Sequence, residues 1–168
     1  LPALLKTIPV DDPKASMPGM GERTVDYEHR IDEYAAFIRD SLLPTLKEGG
    51  LDIPADPNSR TMVGSSLSGT ASIYIASKYP NVVGTVVAQS PSPSNRNILE
   101  KIVEEYQPEK PRAHIELSCG VFEQAGFAEN TNLPFAKELE KKLELPLTIE
   151  QHGHQHLAWT QELQYSIP

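Results

Sequence analysis

The feature that most constrains the fold is an alternation of short apolar runs with amphipathic segments from about Tyr27 onward. The apolar runs are rich in β-branched residues, which is typical of buried strands. The segments between them repeat apolar residues every three or four positions, which is typical of helices. Strands that alternate with helices form a parallel sheet, because each return to the sheet needs a crossover. The sequence therefore predicts an α/β fold.

The periodicity predicts four strands and five helices. The strands are expected at residues 60–64, 82–89, 114–120 and 145–152. The helices are expected at residues 27–46, 66–80, 97–107, 134–144 and 159–165. One face of the first helix carries four apolar side chains, Ile31, Tyr34, Phe37 and Ile38. The second helix ends before Pro80, because the residue that precedes a proline leaves the helical region.

Composition excludes several classes of function. The 168 residues suffice for one domain of ordinary size. Lys and Arg number 15 against 23 Asp and Glu, and the net charge of −8 excludes nucleic-acid binding as the main function. The single cysteine, Cys119, excludes an internal disulfide and a cysteine-based zinc site. No apolar run approaches the roughly 18 residues that a membrane span needs.

The same features bear on location. One cysteine and the lack of a leader at Leu1 favour the cytoplasm, although a leader could have been removed and a secreted protein stays open. The sequence does not indicate an oligomeric state.

Reactive residue types cluster where three of the predicted strands end. Residues 64–69 follow the first strand, residues 120–123 follow the third, and residues 151–156 follow the fourth. In open parallel sheets, ligands bind at the carboxyl ends of the strands. We therefore expect a site built from these three segments.

The first segment reads GSSLSG and centres on Ser66. A serine on a sharp strand-to-helix turn projects its hydroxyl above the sheet, and the helix start supplies N–H donors for an oxyanion. Ser66 has Gly64 two residues before it, but Ser68 stands two residues after it, where the usual pattern has glycine. The alternative is that one of these serines merely caps the helix.

The segment QHGHQH contains His152, His154 and His156. Three histidines can ligate a metal, but alternation along an extended loop spreads them apart, so no metal site is expected. One of them as general base to Ser66 fits better, because the order serine, acid, histidine is that of the hydrolases. A polar surface loop is the remaining interpretation, and it accounts for two of the three.

A carboxylate would complete this set by orienting the imidazole. No aspartate occurs after Asp56, so an acid between the serine and the histidine must be a glutamate. Glu123 follows the third strand directly, Glu129 lies further along, and Glu116 is inside the strand. Glu123 is therefore the predicted acid. A solvated surface glutamate, or a pair without an acid, stays open as the alternative.

Several motifs together resemble the putative-esterase family of the α/β-hydrolases, and its enterochelin (siderophore) esterase branch in particular. Residues 60–92 are similar to the nucleophile region, with G-x-S-x-x-G, a helix, and a strand that ends in Gln-Ser. GHQHLAW at 153–159 resembles the glycine–histidine motif, GVFE at 120–123 the glycine-x-x-acid turn, and residues 23–27 the R-x-x-E-[LY] element. These motifs occur in the family's order from Arg23 to Trp159.

The resemblance implies a three-layer α/β-hydrolase-type fold with a mostly parallel sheet. Residues 1–168 would then be a single catalytic domain with an incomplete N-terminal part, because the family has further strands ahead of the R-x-x-E element. Two positions depart from the pattern. Ser68 replaces a glycine, and Thr160 stands where that branch often has arginine, which weakens the case for an anionic substrate.

The implied activity is that of a serine carboxylic-ester hydrolase that acts on a small-molecule ester, such as a siderophore ester, without cofactor or metal. Ser66 would be the nucleophile, His154 the base and Glu123 the acid, and Leu67 would donate its N–H to the oxyanion. Arg23 would help to bind an anionic substrate. The second oxyanion donor is not identifiable. An acyltransferase of the same family and an inactive binding domain are the alternatives.

The histidines yield a direct prediction. Gly153 lets the chain turn just before His154 and should present that ring above the strand ends. We expect His154→Ala to abolish ester hydrolysis with the fold intact, whereas His152→Ala and His156→Ala should stay within about tenfold, or roughly 1.4 kcal/mol of barrier. Initial rates measured beside circular dichroism test this. If His156→Ala is inactive and His154→Ala is active, the chain turns two residues later than expected. If activity is lost when a chelator is added, the histidines bind a metal.

Overall fold

A parallel β-sheet forms the centre of the computed structural model, which describes residues 24–93, 97–106, 113–120, 123, 131–143 and 148–152. Its described strands are β1 (Thr61–Ser65), β2 (Thr85–Gln89), β3 (His114–Gly120) and β4 (Thr148–His152). They lie side by side in sequence order, and each neighbouring pair is parallel. The four predicted strands and their parallel arrangement are thus confirmed. Their carboxyl ends share one edge of the sheet.

Strand β2 begins at Thr85, later than its apolar run predicts. The reason is a close approach at Gly84, whose N–H donates to Pro57 O at 2.9 Å. A Cβ at this glycine would lie 2.6 Å from the same oxygen. The chain before Thr85 is therefore bonded to the short 3-10 turn Pro57–Ser59. Gly84 O still accepts the N–H of His114 in β3 at 2.8 Å, and the regular strand begins one residue later.

The α-helices are α1 (Ile31–Phe37), α2 (Leu43–Glu48), α3 (Leu67–Lys78), α4 (Asn97–Glu105) and α5 (Leu133–Leu143). The first predicted helix is present as α1 and α2, with wider π-helical turns before α1 and between the two. The second π-turn lies just ahead of Pro44, which has no N–H to donate to the preceding turn. The helix predicted at residues 159–165 lies outside the described residues.

Helices α3, α4 and α5 each connect one strand to the next. Because such crossovers are right-handed, three steps in the same direction place all three helices on one face of the sheet. Helix α3 is the central one, and every residue from Gly69 to Ser77 is buried. The core between helices and sheet includes Ile31, Ile73, Val86, Ile102, Leu117 and Leu139. None of the helices in the described segments combines the length and apolar composition needed to cross a bilayer.

A cluster of polar and charged side chains ties α1 to the crossover helices. Asp32 accepts hydrogen bonds from Tyr74 Oη and Lys78 Nζ on α3, each at 2.5 Å. Lys101 Nζ on α4 lies 3.1 Å from the other carboxylate oxygen, and Lys78 also donates to Glu105. Lys78, then Tyr74 and Lys101, hold the pKa of Asp32 well below its usual range, because each stabilises the ionised carboxylate.

Replacing Asp32 tests this connection. Asp32→Asn should lower the free energy of unfolding by about 1 kcal/mol at pH 7, because the carboxylate is half-exposed and solvent screens its charge. A carboxylate whose pKa is lowered by folding stabilises the native state above its unfolded pKa of about 4, and this effect is lost as the pH falls further. In urea unfolding, the difference in free energy of unfolding between Asp32→Asn and the wild type should therefore become smaller below about pH 4.

Asp40→Asn is the matched control, since Asp40 is exposed and pairs with its neighbour Arg39. This variant should unfold like the wild type at every pH. Equal losses in the two variants, or a difference that does not change with pH, would contradict the role given to Asp32.

Candidate active site

The carboxyl edge of the sheet brings together residues that are far apart in the sequence. Ser66 follows β1, Ser90 follows β2, and Glu123 lies on the loop after β3. The strand register sets Ser65 beside Gln89 and Gln89 beside Ser118, so β1 and β2 end level and β3 extends two residues further, to Gly120. Two of the three predicted segments thus meet at this edge.

Ser66 forms a strained turn between β1 and α3. Its backbone has φ 59° and ψ −126°, a conformation that L-residues seldom adopt and that costs about 1–3 kcal/mol. Four bonds hold it there: Ser66 N–H donates to Gln89 O at 2.9 Å, and Ser66 O accepts from the N–H groups of Gly69 at 3.0 Å, Ser92 at 3.1 Å and Thr70 at 3.3 Å. Such a strand-to-helix turn, with a half-buried serine at its apex, is the geometry of a nucleophile elbow.

The capping alternative is excluded for these serines. Within the described residues, the Ser66 side chain makes no capping bond to α3. Ser65 Oγ donates to Gln89 Oε1 at 3.0 Å. Ser68 Oγ donates to Ser65 O at 2.8 Å and accepts from Ser65 N–H at 3.0 Å. Ser68, the departure from the usual glycine, therefore closes the turn with its own side chain.

Helix α3 starts very close to β1, and glycine makes this possible. A Cβ on Gly64 would lie 2.3 Å from Ser68 O and 2.5 Å from Ser72 Oγ, which no real Cβ achieves. A Cβ on Gly69 would lie 3.0 Å from Gly64 O. Gly64, two residues before Ser66, therefore lies where no side chain fits. After Ser66, the close approach between strand and helix is at Gly69.

Leu67 is the first residue of α3 and is buried. The first N–H groups of a helix have no acceptor within the helix, and they carry the positive end of its dipole. Leu67, the predicted oxyanion donor, therefore has the first N–H of α3, directly after Ser66 in the chain.

Glu123 is 8% exposed, so it is not the solvated surface glutamate of the alternative interpretation. Its Oε1 accepts a hydrogen bond from Gly120 N–H at 2.9 Å and a second from Ser90 Oγ. Glu116 lies in the first half of β3 beside His114, away from the carboxyl edge, as predicted.

Ser90 was not singled out by the sequence analysis. It is fully buried, has φ 47°, and donates its N–H to Ser118 O at 2.7 Å. A signal was present in the sequence, because polar Gln89 and Ser90 end an otherwise apolar buried run just at the edge of the sheet. A polar pair at the end of a buried strand needs partners, and those partners are at the site.

Several predicted residues lie outside the described residues: His154, His156, Arg23, Glu129 and Thr160. His152 ends β4, and its backbone is in register with Gly120 of β3. The chain thus leaves β4 beside the residue whose N–H binds Glu123.

The comparison with family models finds the family described as Putative esterase over residues 4–158. The chain belongs to this family. The family resemblance read from the motifs is thus confirmed. Curated protein sequences give no match.

Solved structures show the fold. An enterochelin esterase from Shigella flexneri matches with a TM-score of 0.68 at 19% identity, covering 86% of this chain and 39% of that one. An S-formylglutathione hydrolase from Staphylococcus aureus gives 0.63 at 17% identity, covering 88% and 63%. A ferulic acid esterase gives 0.63 at 17% identity, covering 80% and 59%. The α/β-hydrolase-type fold is confirmed, and the chain spans less than two thirds of each of these relatives.

The strain at Ser66 can be measured. Ser66→Gly should raise the free energy of unfolding by about 1 kcal/mol, because glycine adopts a positive φ without the Cβ penalty. Ser66→Ala is the matched control, since it keeps the Cβ and should unfold close to the wild type. Chemical denaturation of the three proteins provides the comparison. A glycine variant no more stable than the alanine variant would show that the turn is not strained.

Proposed function

We propose that this chain carries the catalytic apparatus of a serine carboxylic-ester hydrolase that works through an acyl-enzyme intermediate. The observation that carries the proposal is the strained turn at Ser66, between β1 and α3 at the carboxyl edge of the sheet. A serine held in this way offers a nucleophile above the sheet, next to helix N–H groups. Membership of the putative-esterase family supports the same chemistry.

Ester cleavage would then proceed in two halves. Ser66 Oγ attacks the ester carbonyl carbon while His154 accepts the hydroxyl proton, and the carbonyl oxygen becomes an oxyanion that faces Leu67 N–H. The bond to the alcohol breaks, and His154 returns the proton to the leaving oxygen. Water, deprotonated by His154, attacks the acyl-enzyme. His154 then gives that proton to the leaving Ser66 Oγ, which releases the carboxylic acid and regenerates the free serine.

Glu123 would orient the imidazole of His154 and stabilise it when it is protonated. Two observations support this role. The carboxylate is buried at the same edge as Ser66, and β4 ends in register with Gly120, which binds that carboxylate. His152, the last described residue of β4, is therefore paired with the residue whose N–H binds Glu123.

The substrate we propose is a small-molecule carboxylic ester. The solved relatives are named an enterochelin esterase, an S-formylglutathione hydrolase and a ferulic acid esterase. All three names describe hydrolysis at an acyl group, but the acyl group differs among them. A siderophore ester is one candidate. Because the net charge is −8, an anionic siderophore would need local basic residues such as Arg23. A screen of simple acyl esters against a tri-lactone siderophore separates the two substrate types.

Two other functions fit the family. An acyltransferase would pass the acyl group to an alcohol rather than to water, so product analysis distinguishes a new ester from a free acid. A catalytically inactive domain would only bind ligands. The presence of both Ser66 and His154 favours catalysis, because binding alone requires neither.

A fluorophosphonate probe tests the serine mechanism, because it reacts only with an activated serine. The full-length wild type should be labelled at Ser66. Ser66→Ala should lose the label and at least about 1000-fold in kcat/KM. Ser77→Ala is the matched control, because this buried serine bonds within its own helix, to Ile73 O at 2.9 Å, and should keep both label and rate. A wild type that stays unlabelled at Ser66, or hydrolysis that survives Ser66→Ala, would rule the mechanism out.

A further inference from the structure

Ser90 combines features that a loop serine rarely shows. It is 0% exposed, and its backbone has φ 47°, in the left-handed region that favours glycine. Its N–H is bonded to Ser118 O of β3, so the strained backbone is held in place. A buried hydroxyl is costly unless it is hydrogen-bonded, and this one donates to Glu123 Oε1.

The Glu123 carboxylate receives two described hydrogen bonds at one oxygen. Ser90 Oγ donates to Oε1 from the end of β2, and Gly120 N–H donates to it from the end of β3 at 2.9 Å. Donors that approach one oxygen from two different strands restrict rotation of the carboxylate about its last bond. A carboxylate held in one orientation can present its other oxygen to an imidazole in a fixed direction.

The segment that contains Ser90 also holds the turn at Ser66. Gln89 O accepts the Ser66 N–H at 2.9 Å, and Ser92 N–H donates to Ser66 O at 3.1 Å. Asn132, at the start of α5, donates from Nδ2 to Pro91 O at 2.5 Å and braces the same segment. Residues 89–92 therefore bond to the turn at Ser66 through their backbone and to Glu123 through one side chain.

We propose that Ser90 is a positioning residue, whose hydroxyl fixes the Glu123 carboxylate relative to the turn at Ser66. This inference rests on the proposed function, in which Glu123 orients His154. Ser90 touches neither the ester nor the reacting atoms in this scheme. It acts through Glu123.

The competing explanation is that Ser90 only shapes the turn after β2. Glycine separates the two explanations, because it adopts φ 47° without the Cβ penalty and lacks the hydroxyl. If Ser90 only shapes the turn, Ser90→Gly should have a kcat at least as high as that of the wild type. If the hydroxyl positions Glu123, Ser90→Gly and Ser90→Ala should lower kcat to a similar extent.

The experiment measures kcat and KM for a simple aryl ester with the full-length protein. The variants are Ser90→Ala, Ser90→Gly, Glu123→Ala and the double variant Ser90→Ala/Glu123→Ala, with Ser77→Ala as the matched buried-serine control. We expect both Ser90 variants to lose about tenfold or more in kcat, with KM within about twofold. In the Glu123→Ala background, Ser90→Ala should cost nothing further, because residues that act as a unit are not additive. Circular dichroism and thermal unfolding confirm that each variant is folded.

Each deviation from this pattern has a distinct meaning. A Ser90→Gly variant with wild-type kcat would show that only the turn matters and would overturn the inference. A full additional loss in the Glu123→Ala background would overturn it as well, because Ser90 would then act independently of Glu123. A Glu123→Ala variant with wild-type kcat would contradict both the role of Glu123 as the acid and the role of Ser90 in positioning it. Labelling of Ser66 would still support the serine mechanism. Loss of that labelling in the wild type is the outcome that defeats the proposed function itself.

Discussion

Helix α3 lies so close to β1 that no side chain fits between them at Gly64. This contact determines both the composition of α3 and the conformation of the turn at Ser66. Because α3 is buried on every side from Gly69 to Ser77, its sequence is made of small and apolar residues with no polar face. The chain must also reverse from strand to helix within a single residue. Ser66 is that residue, and its positive φ follows from the short distance that Gly64 permits.

The strain in this part of the protein is concentrated at one place. Among the described residues, the two non-glycine residues with positive φ are Ser66 and Ser90, and both stand at the carboxyl ends of adjacent strands. Backbone strain of this kind persists only where surrounding bonds over-determine it. Here the two strained turns stabilise each other, because the segment that begins at Gln89 bonds to both the N–H and the C=O of Ser66.

Periodicity in the sequence was sufficient to predict the strands and helices of the described segments, because each buried face leaves a repeat that depends only on local spacing. On the apolar stripe of the first helix, Ile31 and Ile38 are buried, and Tyr34 and Phe37 are partly buried against the same core. Features that depend on distant partners were not predictable. The polar pair of Gln89 and Ser90 indicates that buried partners are needed, but it does not identify Glu123, 33 residues later, as one of them. A positive φ at serine leaves no local signal in the sequence. Ser68 shows the same limit: it looked like a departure from a motif, but its hydroxyl closes the turn.

The strand order β1-β2-β3-β4 also has a consequence for how the site is assembled. Each strand pairs with the one made just before it, so a chain that folds as it leaves the ribosome can add one unit at a time. The bonds around Ser66 need only the first strand–helix–strand unit, because Gln89 and Ser92 supply them. The bond from Ser90 to Glu123 must wait for β3. On the proposed mechanism, the turn at Ser66 would therefore form before Glu123 and His154, which come later in the chain, are in place.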